Sequence, residues 1–373
     1  MALAFTVDAP KSFEANPGLI SFHARKPVDT LEVRVNGKRY KVVALTSPQR
    51  KATIGPLGLP SQDLTITVTG FRDGKVVGRQ TATDVLGLPK ASMTILPITK
   101  TPPLTQRRMR RLPHASASAA AWTVNMASGL GASYNAGARF TAASTAKLPI
   151  MIDLLMITKR DIVGSEIWGS LQAMIRSSSN DAANTVLEYI GGNTTSGGAQ
   201  VTAMAHRLGA LHTDTAAGYL AGQDRKGPNP PVQVNEQAEV PCCKVTTAHD
   251  LGVLMQEVVE AAAGKGRAHR FGLTGRDARV ALWLLSHTVY AGLFDPWTPW
   301  VTAHKIGDVD RAWHDVAAIF TPKGPLITVA LTDSPNGINL AASAEYGERV
   351  LRTALSGLQA PPPDPERPIP FHM

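Results

Sequence analysis

The stretch Ser144-Thr-Ala-Lys-Leu-Pro-Ile-Met-Ile-Asp-Leu-Leu155 sets a serine and a lysine three residues apart at the head of an apolar helix. Residues three apart share one helix face, so the Lys147 amine can point at the Ser144 oxygen. A serine hydroxyl is a weak nucleophile at neutral pH and needs a base within hydrogen-bond reach. A helix N-terminus adds backbone N–H groups and a positive dipole end, which favour a developing anion. A plain capping role for Ser144 competes with this reading, and partners elsewhere in the chain decide between them.

Upstream, residues 1–96 read as strands. Leu31, Val33 and Val35 alternate with polar residues up to Asn36-Gly37, and Tyr40, Val42 and Val43 follow. That is a hairpin with a type I′ turn signal. Leu64 to Phe71 repeats the pattern, reaching Asp73-Gly74 and returning as Val76-Val77. An all-β sandwich is expected here, and it resembles an immunoglobulin-like module of bacterial surface proteins. Residues 97–118 are proline-rich and then basic, a linker composition. Residues 119–358 form the larger domain. A short strand begins at Trp122, and helical segments follow at 165–176, 182–190, 200–208, 249–263 and 278–285. Strands return at 301–305, 315–320 and 326–332, before a closing amphipathic helix at 341–355. Strands at both ends predict an α+β layer in which the domain's termini share one antiparallel sheet flanked by helices. The proline-rich tail, 359–373, is expected to be disordered.

Composition narrows the function classes. Of 373 residues, 43% are hydrophobic and 18% charged, which fits a globular chain with a true core. The formal charge of +9 raises the question of nucleic acid. However, the one dense cluster, Arg107-Arg108-Met-Arg110-Arg111, lies in the linker stretch and carries no nucleic-acid signature, so no nucleic-acid partner is expected. The two cysteines, Cys242 and Cys243, are adjacent, which excludes a disulfide framework. Two thiols are too few for a typical zinc site, and neither a metal nor an organic cofactor is expected. No stretch approaches a membrane span. The opening Met-Ala-Leu-Ala-Phe-Thr-Val-Asp8 lacks the basic n-region of a signal peptide.

Two later motifs supply the partners of Ser144 and Lys147: Arg176-Ser-Ser-Ser-Asn-Asp-Ala-Ala-Asn184 and His304-Lys-Ile-Gly-Asp308. Together with Ser144-x-x-Lys147, they resemble the penicillin-recognising serine hydrolases, the class A β-lactamases and D-alanyl-D-alanine peptidases. That family runs Ser-x-x-Lys, Ser-x-Asn and Lys-Thr/Ser-Gly in this order. The resemblance covers residues 119–358 and implies a β-lactamase/transpeptidase-like fold. It implies Ser144 as nucleophile, Lys147 as its base and Ser178 as a proton carrier to the leaving nitrogen, with Ser177 as an alternative register. It further implies Asn180 and Lys305 as substrate contacts and Gly307 in the third motif. The backbone N–H groups of Ser144 and Asp308 would form an oxyanion hole, and Asn184 would brace the adjacent loop. His304 and His314 read as packed or solvated rather than catalytic. Trp297 and Trp300 read as core or loop anchors.

The chain departs from the class A pattern at four places. The deacylating glutamate of those enzymes falls near Tyr219 by count, with Glu236 and Glu239 as substitutes. Ile306 replaces a hydroxyl residue that helps bind a substrate carboxylate, and an isoleucine cannot hydrogen-bond. Ser179 stands where class A enzymes have aspartate. Only 34 positions separate Ser144 from Ser178. The expectation is a serine hydrolase acting through an acyl-enzyme on a β-lactam or a peptidoglycan-derived peptide. The alternatives are a D,D-carboxypeptidase- or esterase-like enzyme, and an inactive cell-wall or surface-binding protein. The resemblance implies work outside the cytoplasm, with a cytoplasmic location as the alternative reading of the N-terminus; a monomer is expected, with the N-terminal domain available for cell-wall contact.

Overall fold

In the computed structural model, Asn36-Gly37 and Asp73-Gly74 turn the chain with positive φ at both residues, 50° and 80°, then 51° and 74°. This is the type I′ geometry their sequences predict. The structure describes residues 5–9, 19–59, 64–85, 105–109, 112, 116, 118–159, 162–163, 165–219, 238, 240 and 244–355. Two units, Met1–Lys90 and Ala91–Met373, make up the chain.

The first unit is strand-rich. It contains β1 (Phe5–Asp8), β2 (Ile20–Val35), β3 (Lys38–Ile54), β4 (Leu64–Arg72) and β5 (Lys75–Val85). β2 is the hub of one five-stranded sheet. Its first half pairs with β1 and β3, and its second half with β3 and β4, all antiparallel. The alternating Leu31 and Val33 join Ile20, Phe22, Ile66 and Val68 in the core, as period-2 burial requires.

The second unit is an α+β layer. Its strands are β6 (Thr105–Arg108), β7 (Ser118–Asn125), β8 (Leu130–Tyr134), β9 (Arg139–Thr141), β10 (Val245–Thr247), β11 (Thr302–Val309), β12 (Ala312–Thr321) and β13 (Gly324–Asp333). Six of them form a sheet in the order β11-β12-β13-β7-β8-β6. β7 lies antiparallel to β13, so the two ends of the domain share the sheet. Its helices are α1 (Lys147–Ile157), α2 (Trp168–Arg176), α3 (Asn180–Gly191), α4 (Thr194–Leu208), α5 (Ala248–Ala262), α6 (Gly266–Arg270), α7 (Gly275–Ser286) and α8 (Leu340–Ala354). Side chains of Ser179, Asn193, Thr247, Thr274 and Asn339 cap five of them. Among the described residues, no helix is long and apolar enough to cross a membrane.

Alternation along β7 explains how the sheet is covered. Ala119 and Ala121 join the cluster of Tyr346, Val350 and Leu351 from α8. Trp122 points the other way, onto Gly252 of α5. A β-carbon at Gly252 would stand 2.2 Å from Trp122 Cε3. Trp122 is itself buried, so Gly252→Ala forces overpacking and is expected to cost about 2–3 kcal/mol. A denaturant melt with an unchanged midpoint would contradict this packing.

Two expectations need correction. The stretch 97–118 is not wholly a linker: Thr105–Arg108 is a strand, parallel to β8, and the following Met109 is buried in the core. Pairing on an open sheet edge uses backbone groups alone, so a basic, proline-rich composition does not reveal it. Ser144 also does not open an α-helix. Ala143–Ala146 is a 3₁₀ turn, α1 starts at Lys147, and neither N-cap makes a side-chain capping bond. Glu236, Glu239, Cys242, Cys243 and the tail from 356 onward lie outside the described residues.

Candidate active site

Ser144 is half-buried on the 3₁₀ turn, and Lys147 follows one turn later with its side chain wholly buried. Lys147 Nζ lies 2.8 Å from Ser144 Oγ. It also lies 2.6 Å from the Ser178 carbonyl oxygen and 2.7 Å from Asn180 Oδ1. A neutral amine has two N–H donors and one lone pair. The two carbonyl oxygens take the two N–H groups, and the lone pair is left facing the Ser144 O–H. Burial, then the neighbouring Lys305 and Lys244, pull the amine from 10.5 down to about 6, with Asp308 opposing. At neutral pH the group is therefore mostly the free base.

Lys305 comes from β11, with its side chain also buried. Its Nζ lies 2.9 Å from Ser178 Oγ and 2.9 Å from the Ile306 carbonyl oxygen. Burial lowers it from 10.5 to about 8, against the carboxylates of Asp308 and Asp315. Ser178 Oγ thus sits between two lysines, 3.4 Å from Lys147 Nζ. Ser177 is exposed and donates to the Ala173 carbonyl, whereas Ser178 is the serine brought between the two lysines. Gly307 packs β11 against the 3₁₀ turn, where a β-carbon would stand 2.9 Å from the Thr145 backbone nitrogen.

Backbone strain gathers around this centre. Ala143, Ser178 and Ala216 have φ of 47°, 57° and 31°. Asn and Asp tolerate that region through local hydrogen bonds, whereas Ala and Ser adopt it against a steric cost. Such outliers persist where surrounding structure fixes them, commonly at functional sites. Here they adjoin the serine, form the second motif, and precede Tyr219.

Tyr219, the residue nearest by count to the expected glutamate position, lies beside Lys147 and Lys244. Its backbone N–H donates to Asn184 Oδ1 at 2.6 Å. Its ring centroid lies 4.5 Å from Lys147 Nζ and 4.3 Å from Lys244 Nζ. Lys244 is buried and donates to the Gly218 carbonyl at 2.7 Å. Asn184 thus accepts a hydrogen bond from the loop that carries Tyr219. Lys244 was not anticipated, because it follows a proline-cysteine stretch and meets the site only through tertiary folding.

The other flagged residues are accounted for. His314 is buried, and burial pulls it from 6.5 to about 4, with the Thr141 carbonyl opposing. The neutral ring donates from Nε2 to Thr141 at 2.9 Å and accepts the Thr332 N–H at Nδ1. Burial disfavours the charged form of His304, but the Asp315 and Asp295 carboxylates outweigh it and raise its pKa. Asp295, His304 and Asp315 bring possible metal-ligand atoms within 4.8 Å of one another. Those atoms are engaged internally. His304 meets Asp315 and Thr288, while the carboxylates accept the Gly292 and Leu293 N–H groups. The network fastens the 288–295 loop to β11. Trp297 and Trp300 pack against the α8 core cluster.

A mainly antiparallel sheet flanked by helices, with a half-buried serine against a buried lysine at its edge and a second serine between two lysines, defines the class of this protein. The chain belongs to the Beta-lactamase enzyme family, which matches residues 156–354. No match is found among curated proteins. Among solved structures, the chain is similar to a β-lactamase from Sphaerobacter thermophilus, at 21% identity and a TM-score of 0.49, covering 66% of this chain and 93% of that one. A class A β-lactamase from Mycobacterium abscessus has 17% identity and a TM-score of 0.49, with coverage of 64% and 94%. A protein described as PBP-A has 18% identity and a TM-score of 0.49, with coverage of 69% and 100%.

Proposed function

We propose that the chain is a serine hydrolase that forms an acyl-enzyme at Ser144 with a β-lactam or a peptide-like amide. The observation that carries this reading is the 2.8 Å approach of Lys147 Nζ to Ser144 Oγ, with both amine N–H groups already engaged. Lys147 takes the hydroxyl proton as Ser144 Oγ bonds to the carbonyl carbon. The oxyanion forms against the backbone N–H groups of Ser144 and Asp308. Ser178 Oγ hands a proton to the leaving nitrogen and is replenished through its two lysine neighbours. In this reading Asn180 and Lys305 hold the substrate, and the N-terminal unit is an immunoglobulin-like module suited to cell-wall contact.

A second feature favours slow release of the acyl group. Hydrolysis of an acyl-enzyme needs a base to activate water, and Tyr219 faces Lys147 with a ring where a carboxylate would serve. Burial pushes its phenol well above the usual value, so it carries no base at neutral pH. A D,D-carboxypeptidase-like or penicillin-binding role follows if release is slow. The test is intact-protein mass spectrometry after exposure to a fluorescent penicillin and to a neutral activated ester. One adduct per chain, absent in Ser144→Ala, is expected. Absence of an adduct with both reagents overturns the reading in favour of a non-catalytic binding protein.

A further inference from the structure

The peptide unit that joins Gly218 to Tyr219 is held on both of its polar sides. Its carbonyl accepts from Lys244 Nζ at 2.7 Å, and its N–H donates to Asn184 Oδ1 at 2.6 Å. Gly218 is buried, and a β-carbon there would stand 2.8 Å from Asn184 Oδ1, so the clamp closes on glycine. A clamped peptide unit fixes where the next side chain leaves the backbone. Here that side chain is the half-buried Tyr219 ring, which has two buried amines against it. Lys147 Nζ lies 4.5 Å from its centroid and Lys244 Nζ 4.3 Å. The ring's hydroxyl donates to the Ala143 carbonyl at 3.4 Å, on the turn that carries Ser144.

Every group that Lys147 Nζ hydrogen-bonds is a neutral oxygen: Ser144 Oγ, the Ser178 carbonyl and Oγ, and Asn180 Oδ1. That set suits a free amine, and the demand on it changes when the base acts. Ser144 Oγ gives its proton to the Nζ lone pair and bonds to the carbonyl carbon, whose π electrons move onto oxygen, and Nζ becomes an ammonium. This ammonium is buried, with Lys305 and Lys244 as like charges and Asp308 as the opposing one. An aromatic face within about 6 Å attracts a desolvated cation through its quadrupole, and acts only weakly on a neutral amine. We propose that Tyr219 is a positioning residue for acylation, whose ring, aimed by Lys244 and Asn184, stabilises the ammonium that Lys147 becomes as it takes the Ser144 proton. This rests on the acyl-enzyme reading and adds a member to its machinery.

The electron density of the ring is the variable to change. Single-turnover acylation by a neutral activated ester is timed across pH by intact-protein mass spectrometry. Tyr219→Leu, which removes the ring, is expected to acylate about 2- to 30-fold more slowly. The limb of its pH profile on which Lys147 loses its proton is expected to move to lower pH, because losing a stabiliser of the ammonium makes the amine a weaker base. Tyr219→Phe, which keeps an aromatic face, is expected to recover most of the rate. Phenylalanines bearing one, two and three ring fluorines, placed at this position by nonsense suppression, keep the shape and drain the face of negative charge. Acylation is expected to slow stepwise along that series, a response that a merely structural ring does not give. The series decides even where Tyr219→Leu fails to fold. Equal rates along the series, or a limb in Tyr219→Leu that stays in place or moves to higher pH, overturn the proposal while leaving the acyl-enzyme intact. Absence of an adduct on Ser144 in the parent protein overturns both.

Discussion

Lys147→Met is expected to slow acylation of Ser144 by about 10³-fold, within the usual range for removing a positioned base, and to make the protein more stable at neutral pH. The two effects share one cause. The amine is wholly buried and is held as a free base by burial and by its lysine neighbours. Its pKa is about 6 in the fold and 10.5 when exposed. Between those values the unfolded chain binds one more proton at this position, so this group makes stability rise with pH across that window. At pH 7 most of the destabilisation remains, and methionine, similar in shape and uncharged, removes it. A melt should therefore show a higher midpoint and a weaker pH slope for the variant. The pH profile of acylation supplies the catalytic half. The lysine pair titrates at about 6 and about 8. The rate should rise through the lower value as Lys147 becomes a base, and fall through the upper one as Lys305 loses its charge. Loss of the rising limb in the variant is the expected signature. An unchanged acylation rate would remove Lys147 from the mechanism.

Both effects descend from features that differ in how far the sequence exposes them. The three motifs are legible because each is local: a helical turn joins Ser144 to Lys147, two positions join Ser178 to Asn180, and a strand carries Lys305 and Gly307 on alternate positions. Both hairpins are legible because Asn-Gly and Asp-Gly name their own turn. What escapes is whatever depends on contacts far along the chain. Lys244 reaches Tyr219 across 25 positions, and Asn184 reaches it across 35. Neither residue type is unusual where it stands. The start of α4 is hidden for a different reason. Gly197 and Gly198 read as helix breakers, yet a β-carbon at Gly197 would stand 2.1 Å from the Leu187 carbonyl. Gly197 is demanded by close packing of α4 on α3, and Gly198 by the Ala216 backbone, tertiary requirements that override propensity. The strand at Thr105–Arg108 escapes because an edge is paired through its backbone.

Gly307→Ala is expected to lower the acylation rate by 10²–10³-fold while leaving the domain folded. The added β-carbon would stand 2.9 Å from Thr145 Cγ2, 2.9 Å from the Thr145 nitrogen and 3.0 Å from the Ala142 carbonyl oxygen. Two of these three neighbours are backbone atoms of the very turn that presents Ser144, so neither can swing aside as a side-chain tip would. The strain is instead relieved by moving β11 away from the turn. Overpacking of this kind costs about 1–3 kcal/mol of stability, a modest fall in the melting midpoint. In the proposed mechanism the catalytic loss is larger, because the displaced element carries the Asp308 N–H assigned to the oxyanion, and removing one oxyanion donor costs about 3–4 kcal/mol in the transition state. A donor that acts on the transition state alone lowers kcat and kcat/KM together, so KM should change little. Gly307 does not sit at positive φ, which makes the effect one of volume rather than of backbone conformation. A serine there should therefore be at least as damaging as alanine. If Gly307→Ala lowered stability but acylated Ser144 at the parent rate, the contact between β11 and the Ser144 turn would be structural support, and the oxyanion would have to be bound elsewhere.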